Sequence, residues 1–337
     1  MRDSLVVVVG EAVIDLVPLA GHTYDAKPGG SPTNVAVGLA RLGQEIELLG
    51  RLGQGAFGDI VREHVHANGV GTRFAVAANE PATLAVVTLD DAGQAAYTFY
   101  AEGTSDWSWT AEELAPGFAS EPLAVVAGSI TLGREPGASA VGSALHRLHE
   151  SGAASIVLDP NLRPQLIGSR QRERDRWAEL VRLADIVKVS DEDLRWLLPD
   201  TDPLSIARSW VRAGTTGIDD QDGGGGPGLV VVTHGSQGAT AVTASGVETA
   251  VPIVPVDVVD TVGAGDAFTA GLVHSAAEHA LLGPAARPAL HTADHELLTQ
   301  LLRFASAAAA ITCGRAGADP PTTAEVRAVV EATDASV

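Results

Sequence analysis

Short apolar runs alternate with stretches of helical periodicity over most of the chain. Unbroken apolar runs of this length are typical of strands that are buried on both faces of a parallel sheet. The runs lie at residues 5–9, 46–52, 123–127, 156–158, 186–189 and 229–233, and helical stretches lie near 138–150, 171–183, 203–213 and 297–311. This alternation predicts an α/β fold in which helices cover both faces of a mostly parallel central sheet.

A second pattern predicts a small β lid. Residues 83–89 and 95–100 alternate apolar and polar positions around Asp90-Asp91-Ala92-Gly93, which is a hairpin signal. Extended pieces also occur within residues 12–25, and the mixed stretch 12–19 predicts an edge strand. We therefore expect a single domain over residues 1–337, with a β lid contributed by about 12–25 and 83–105.

The periodicity changes from extended to helical at Gly263-Ala264-Gly265. A glycine loop before a helix can turn backbone N–H groups toward one point, and the helix dipole then favours an anion there. Asp266 falls in the first helical turn, where the dipole keeps a carboxylate ionised and available as a base. A base beside an anion site suits proton removal from an alcohol during phosphoryl transfer. In isolation, the same residues also fit a tight turn with a helix-capping aspartate.

The formal net charge of −20 limits the kinds of partner that the protein can bind. Binding nucleic acid or an anionic membrane requires a basic surface, so we expect neither partner. Lys27 and Lys188 are the only lysines, so arginines, helix ends and Mg²⁺ have to bind an anionic ligand such as ATP. Cys313 is the only cysteine, which excludes a disulfide within the chain, and no apolar run is long enough to span a membrane. We expect a soluble, cytoplasmic protein.

Two long motifs resemble those of a known family. Residues 257–273, with the run Asp-Thr-Val-Gly-Ala-Gly-Asp, are similar to the C-terminal signature of the ribokinase-like, phosphofructokinase-B-type carbohydrate kinases, and residues 29–43 resemble the N-terminal signature. The resemblance covers nearly the whole chain and is nearest to the fructokinases. It implies a ribokinase-like fold and transfer of the γ-phosphoryl group of ATP to a primary hydroxyl of a monosaccharide, with fructose as the first expectation. No Gly-x-x-x-x-Gly-Lys-[Ser/Thr] motif occurs, so a P-loop kinase is excluded.

Alternatives to fructose remain open at this point. They are a kinase for a 2-keto-3-deoxy sugar acid or a nucleoside, and a non-catalytic relative that binds sugar or nucleotide. A sugar acid calls for an additional arginine under the lid, and the sequence does not place one there. The intact Asp266 and its glycines speak against loss of catalysis.

The resemblance also implies a sugar site at the start of the chain. Asp15 follows the first buried strand, at the sheet edge where open α/β sheets bind ligands, and it matches the sugar-binding aspartate in Gly-Glu-x-x-x-Asp. Glycines let a sugar approach the backbone, and an asparagine amide can both donate to and accept from hydroxyls. The lid adds an aromatic ring that stacks on the sugar, and Asp106 matches the family's aspartate after this strand. The expected sugar-binding residues are Asp15, Gly29, Gly30, Asn34, Phe99 and Tyr100.

The catalytic and nucleotide residues follow from the same resemblance. Asp266 is the expected base, the N–H groups of Gly263, Ala264 and Gly265 form the anion hole, and Arg163, in an Asp-x-Asn-x-Arg match, contacts the transferred phosphate. The expected ATP-binding residues are Asn161, Lys188, Ser190, Thr233, Gly235, Ser236, Gly238, Gly265 and Ser306.

Metal sites and a dimer are implied as well. The family's Asn-x-x-Glu motif for Mg²⁺ is altered here, since Ser190 replaces the asparagine and Asp193 the glutamate, or Glu192 if the register slips by one. A monovalent cation, K⁺, is expected at Asp260, Val262, Thr312, Arg315 and Gly317. Lids of this type often form a homodimer.

Two glycine-rich segments have no predicted role in catalysis. Residues 53–58 match Gly-x-Gly-x-x-Gly, but they do not follow the first strand, and they resemble the family's Gly-x-Asp-x-Phe-Gly turn with Gly55 in place of the aspartate. Residues 217–228 predict a mobile insertion, and no helix follows them as in a phosphate loop.

Overall fold

The computed structural model describes residues 4–19, 22–89, 95–212 and 225–334. In chain order the strands are β1 (Leu5–Val9), β2 (Val13–Pro18), β3 (Tyr24–Gly29), β4 (Glu45–Leu49), β5 (Arg51–Gln54), β6 (Val76–Pro81), β7 (Leu84–Leu89), β8 (Ala95–Tyr100), β9 (Ala124–Gly128), β10 (Ser155–Asp159), β11 (Ile186–Ser190), β12 (Leu229–Thr233), β13 (Ala239–Thr243) and β14 (Glu248–Val251). The helices are α1 (Ser31–Arg41), α2 (Ala56–Ala67), α3 (Ala111–Phe118), α4 (Gly137–Ser151), α5 (Arg170–Leu183), α6 (Asp191–Leu197), α7 (Pro203–Arg212), α8 (Ala264–Glu278), α9 (Arg287–His291), α10 (His295–Cys313) and α11 (Thr323–Asp334).

An eight-stranded sheet forms the centre of the fold, in the order β14-β13-β12-β11-β10-β9-β1-β4. Neighbours from β12 to β4 pair in parallel, whereas β13 and β14 are antiparallel. This confirms the predicted α/β class and the mostly parallel sheet. The apolar run at 46–52 is split, because β4 stays in this sheet while β5 leaves it to pair with β6.

The central strands are apolar throughout because helices cover both faces of the sheet. In β1, Val6 and Val8 pack into a core with residues of α1, α8 and α10, while Val7 and Val9 pack into a second core with residues of α4 and α5. All four valines are fully buried, and each contributes about 1.5–3 kcal/mol to folding. The predicted helices at 138–150, 171–183, 203–213 and 297–311 are confirmed as α4, α5, α7 and α10. In the described ranges, no helix is long and apolar enough to cross a membrane.

The lid is a separate four-stranded sheet in the order β3-β2-β7-β8. The hairpin of β7 and β8 is confirmed, and its turn signal at residues 90–93 lies outside the described residues. The prediction of an edge strand at 12–19 is wrong, since β2 pairs with both β3 and β7. Most of the glycine-rich segment 217–228 also lies outside the described residues.

Candidate active site

A cavity of about 520 Å³ lies at the carboxyl ends of β1, β10 and β11, between the central sheet and the lid. Residues from distant parts of the chain meet there, including Asp15, Asn34, Phe99, Arg163 and Asp266. The strand ends explain this convergence, because parallel strands present their carboxyl ends at one edge of a sheet. The cavity therefore joins the motif at 29–43 to the motif at 257–273.

The glycine loop at residues 263–265 forms one side of this cavity. Gly263 is the N-cap of α8 with φ 77°, a left-handed conformation that glycine adopts without strain, and a Cβ there would stand 2.6 Å from the Cβ of Ala318. Gly263 and Gly265 line the cavity. The expectation for Ala264 needs correction, since its N–H donates to the C=O of Thr261 at 3.3 Å and the residue does not line the cavity. The turn itself uses this amide, so it is not free for an anion in this conformation.

Asp266 is 8% exposed and is held by donors from the other end of the chain. Ser31 Oγ donates to Oδ1 at 2.6 Å, Asn34 Nδ2 donates to Oδ2 at 2.8 Å, and Asn161 Nδ2 lies 3.4 Å from Oδ1. Burial raises the pKa of Asp266, and the hydrogen bonds from Ser31 and Asn34 oppose this rise. The sequence predicted a carboxylate kept ionised by the helix dipole. Desolvation is instead the larger effect, and it makes the carboxylate a stronger proton acceptor.

The predicted sugar residues surround a second carboxylate. Burial raises the pKa of Asp15 to about 6, with Arg163 lowering it and Asp266 raising it further. Gly29 leaves room for this side chain, because a Cβ there would stand 2.4 Å from Asp15 Oδ2. Gly30 has φ 98° and lines the cavity as the N-cap of α1, while Gly29 does not line it. Gly29 thus acts through the position of Asp15.

The lid contributes two aromatic rings, one of which the sequence analysis missed. Tyr97 and Phe99 line the cavity and stack with centroids 6.1 Å apart. Tyr100 is 61% exposed and does not line the cavity, so its assignment was wrong. Alternate residues of a strand point to the same face, so the two-residue period that placed Phe99 at the cavity also selects Tyr97.

Two cations face the same space. Arg163 Nη1 donates to Asn161 Oδ1 at 2.6 Å, and Asn161 has φ 37°, so the backbone turns sharply where β10 ends. Lys188 is buried and its Nζ donates to Asp159 Oδ2 at 3.0 Å. Arg163, Asn161 and Lys188 all line the cavity. The site therefore places positive charge beside the start of α8, despite the acidic composition of the chain.

Several predicted nucleotide residues lie outside this cavity. Thr233 is the half-buried last residue of β12, and Gly235, Ser236 and Gly238 lie in the turn after it. Since β12 pairs with β11 in parallel, this turn lies at the same edge of the sheet. Ser190 caps α6 by accepting from the N–H of Asp193, and Ser306 is buried in α10. The glycines at 53–58 lie at the junction of β5 and α2, also away from the cavity.

The two candidate carboxylates of the altered magnesium segment lie in different surroundings. Glu192 lines the cavity, whereas Asp193 Oδ1 accepts from the N–H of Leu162 at 3.1 Å. Burial raises the pKa of Asp193. Among the described residues no group of three or more His, Cys, Asp or Glu side chains is arranged for a metal ion. A divalent ion here would be held by one carboxylate and by substrate phosphates, which is the usual mode for Mg²⁺.

The loop expected to hold a monovalent cation is joined to the C-terminal segment by hydrogen bonds. Asp260 Oδ2 accepts from the N–H of Gly317 at 2.8 Å, and Oδ1 accepts from the N–H of Val262 at 3.0 Å. The structure therefore brings Asp260, Val262 and Gly317 together. Thr312 donates its hydroxyl hydrogen to the C=O of Ala308, and the guanidinium of Arg315 bonds to Glu325. A guanidinium has no acceptor atom, so Arg315 can offer a cation only its backbone carbonyl oxygen.

Comparisons with known sequences and structures point to carbohydrate kinases, in agreement with the geometry of the cavity. The family model for pfkB family carbohydrate kinases matches residues 3–325. A fructokinase from Klebsiella pneumoniae is 35% identical over 276 residues, which is 81% of this chain and 85% of that protein. The structure of a fructokinase from Xylella fastidiosa with bound ATP aligns with TM-score 0.85 and 28% identity, over 99% of this chain and 100% of the other.

A second solved structure comes from Vibrio cholerae O395. It is a fructokinase double mutant described with fructose, ADP and potassium ion bound, and it aligns with TM-score 0.79 and 26% identity over 98% of this chain and 99% of that one. Since the family match covers nearly the whole sequence, and the cavity unites both sequence motifs around a buried aspartate, the chain belongs to the pfkB family of carbohydrate kinases.

Proposed function

We propose that this protein is a fructokinase, which transfers the γ-phosphoryl group of ATP to a primary hydroxyl of fructose. The observation that carries the proposal is the buried carboxylate of Asp266, held by Ser31 and Asn34 at the glycine-lined start of α8. The fructokinases among the relatives support the choice of fructose. The whole chain, residues 1–337, acts as one kinase domain. Its single cysteine, Cys313, fits a reducing cytoplasm.

Proton transfer and phosphoryl transfer are coupled at Asp266. Asp15 and Asn34 hold the sugar so that its primary hydroxyl reaches Asp266, which accepts the proton as the oxygen attacks the γ-phosphorus. The new sugar O–P bond forms while the bond from the γ-phosphorus to the β,γ-bridging oxygen breaks, and ADP leaves with that electron pair. Arg163, Lys188 and the free amides at the start of α8 stabilise the phosphoryl charge.

The ATP chain runs from the start of α8 toward the next strand ends. The nucleotide contacts are the side chain or backbone of Asn161, Lys188, Ser190, Thr233, Gly235, Ser236, Gly238, Gly265 and Ser306. Glu192 would hold Mg²⁺ through a hard carboxylate oxygen, and the ion would neutralise phosphate charge. Carbonyl oxygens of the loops joined by Asp260 would hold K⁺, which would stiffen the glycine loop.

The charges in the cavity favour a neutral sugar over a sugar acid. Four carboxylates line it, those of Glu11, Asp15, Glu192 and Asp266, whereas Arg163 is the only arginine among the described lining residues. The guanidinium of Arg163 donates a hydrogen bond to Asn161 and lowers the pKa of Asp15. It therefore already interacts with two groups of the site. Lys188, the other cation that lines the cavity, is paired with Asp159. A substrate carboxylate would therefore meet like charges and two cations that are already engaged.

The lid supports a homodimer. Five large apolar side chains of the lid segments are exposed, and sheet edges and apolar faces of this kind are commonly covered in assemblies. These residues are Val17, Leu19, Tyr24, Tyr97 and Tyr100. A mass by light scattering that corresponds to one chain at micromolar concentration would contradict this part of the proposal.

Measuring ADP release with Mg²⁺-ATP across a panel of acceptors tests the proposed function. The panel contains fructose, glucose, ribose, 2-keto-3-deoxygluconate and adenosine, and we expect the highest kcat/KM for fructose. A preference for the acid or the nucleoside would replace fructose as the substrate, and no turnover with any acceptor would favour a binding protein.

The matched variant for this assay is Asp266→Asn, which keeps the shape of the side chain. Its turnover should fall by about a hundredfold or more, while calorimetric binding of ATP and fructose is preserved. Near wild-type turnover would refute the assignment of Asp266 as the base.

A further inference from the structure

Asp159, at the end of β10, connects the cation of the cavity to the helix that carries the base. It is 4% exposed. Its Oδ2 accepts hydrogen bonds from Lys188 Nζ at 3.0 Å and from Thr269 Oγ1 at 2.8 Å. Thr269 lies on α8, and its hydroxyl is also 3.0 Å from the C=O of Gly265. One carboxylate oxygen therefore contacts both β11 and α8, and Thr269 links it to Gly265 in the first turn.

Lys188 points toward the glycine loop. Its Nζ lies 3.4 Å from the position that a Cβ on Gly265 would occupy, and the side chain lines the cavity. An ammonium has three N–H donors, and Asp159 receives one of them. A buried cation is costly without a counter-charge, and the carboxylate of Asp159 supplies that counter-charge at 3.0 Å.

The other oxygen of Asp159, Oδ1, is buried. Oδ1 has no hydrogen-bond partner within the described residues. A cavity of about 10 Å³, which is room for about one water, is lined by both Asp159 and Ser31. Ser31 in turn donates to Asp266. Asp159 is thus bonded to the cation, Lys188, and to the helix that carries the base, Asp266.

From this geometry we infer that Asp159 is a positioning residue for phosphoryl transfer. It fixes the Lys188 ammonium beside Gly265, where the ammonium donates to the transferred phosphoryl group, and it holds the first turn of α8 through Thr269. The inference rests on the proposed kinase function and adds a residue that does not touch the substrate.

Kinetics of isosteric variants give the first test. In Asp159→Asn we expect kcat to fall about 10- to 100-fold with the KM for fructose within about threefold of wild type. Thr269→Val should lower kcat in the same way, and Thr269→Ser, which keeps the hydroxyl, should restore it. Full kcat in Asp159→Asn, or equal losses in both Thr269 variants, would overturn the inference.

The pH profile separates positioning from a structural role. Among the described residues, the charged groups that line the cavity with Asp266 or act on its pKa are Glu11, Asp15, Asp159, Arg163, Lys188 and Glu192. The charge of Asp159 raises the pKa of Asp266, and that of Lys188 lowers it. The acid limb of kcat should therefore move to lower pH in Asp159→Asn and to higher pH in Lys188→Met. Shifts in the same direction, or none, would contradict the inference.

A spectroscopic test does not depend on the sugar. Because the chain has only two lysines, ¹⁵N-lysine labelling in a Lys27→Arg background gives one side-chain ammonium signal, that of Lys188. We expect a sharp signal that shifts when Mg²⁺ and a non-hydrolysable ATP analogue are added, and a signal broadened by exchange in Asp159→Asn. An identical signal in both proteins would refute the role of Asp159, even if the acceptor proves not to be fructose.

Discussion

Replacing Asp15 by asparagine should make the protein more stable while it removes sugar binding. Asp15 lies on β2 and lines the cavity, where burial raises its pKa from 3.8 to about 6 in spite of the nearby Arg163. A raised carboxyl pKa means that the folded chain resists ionisation of this group more than the unfolded chain does. The free energy of unfolding is therefore reduced wherever the carboxyl is ionised.

The size and the pH range of this effect follow from the pKa values. The difference between 3.8 and about 6 is about 2 pH units, or about 3 kcal/mol at 1.36 kcal/mol per unit. Below pH 3.8 both states are protonated and nothing is lost; the penalty grows between pH 3.8 and about 6 and is complete above that range. The asparagine side chain has the same shape and no charge. We expect a gain of about 1–3 kcal/mol at pH 8 and about half of that at pH 5.

Urea unfolding at pH 5 and pH 8 measures this gain directly. The control is Asp25→Asn, which removes an exposed lid carboxylate that pairs with Lys27 at 2.6 Å and should change stability by no more than about 0.5 kcal/mol. Calorimetry with fructose should show that Asp15→Asn has lost most of its affinity. A gain that is the same at both pH values, or a variant that is less stable at pH 8, would refute the argument from burial.

Three further results are expected. Tyr97→Ala should raise the KM for fructose about fivefold, whereas Tyr100→Ala, on the other face of the strand, should leave it within about twofold in the same assay. Gly29→Ala should raise the KM for fructose about tenfold, because the added Cβ would stand 2.4 Å from Asp15 Oδ2. The control is Gly142→Ala in α4, where the added Cβ has open space around it; this variant should raise the melting temperature and leave the KM unchanged. Exchange of K⁺ for tetramethylammonium should lower kcat through the loop of Asp260, and equal rates in both buffers would remove the cation site.

Local sequence patterns were enough to predict most of the fold. The unbroken apolar runs predicted the parallel strands, because a strand that is covered on both faces has no solvent-exposed polar positions. The change of period at Gly263 located the start of α8, and the glycine there has the positive φ that such a turn requires. Asp266 could be placed in the first helical turn for the same reason. These features depend on residues that are close together in the sequence.

Features that depend on a single residue of register, or on distant partners, could not be obtained this way. Tyr100 is one residue after Phe99 in a strand, so its side chain lies on the face away from the cavity that Phe99 and Tyr97 line. On α6, Glu192 lines the cavity and the neighbouring Asp193 does not. The amide of Asn34 was predicted to bind sugar, and the structure shows that it also holds Asp266, which is 232 residues away. Burial by the whole fold raises the pKa of Asp266. An argument from the helix dipole alone could not predict the direction of this shift.

The contact of Ser31 and Asn34 with Asp266 has a consequence for the protein during its synthesis. The segment that we propose holds the sugar leaves the ribosome early, and the proposed base follows more than 200 residues later. A nascent chain that ends before α8 contains the groups for recognising a sugar but none for activating its hydroxyl. Phosphorylation therefore begins only after the last third of the chain has joined the first.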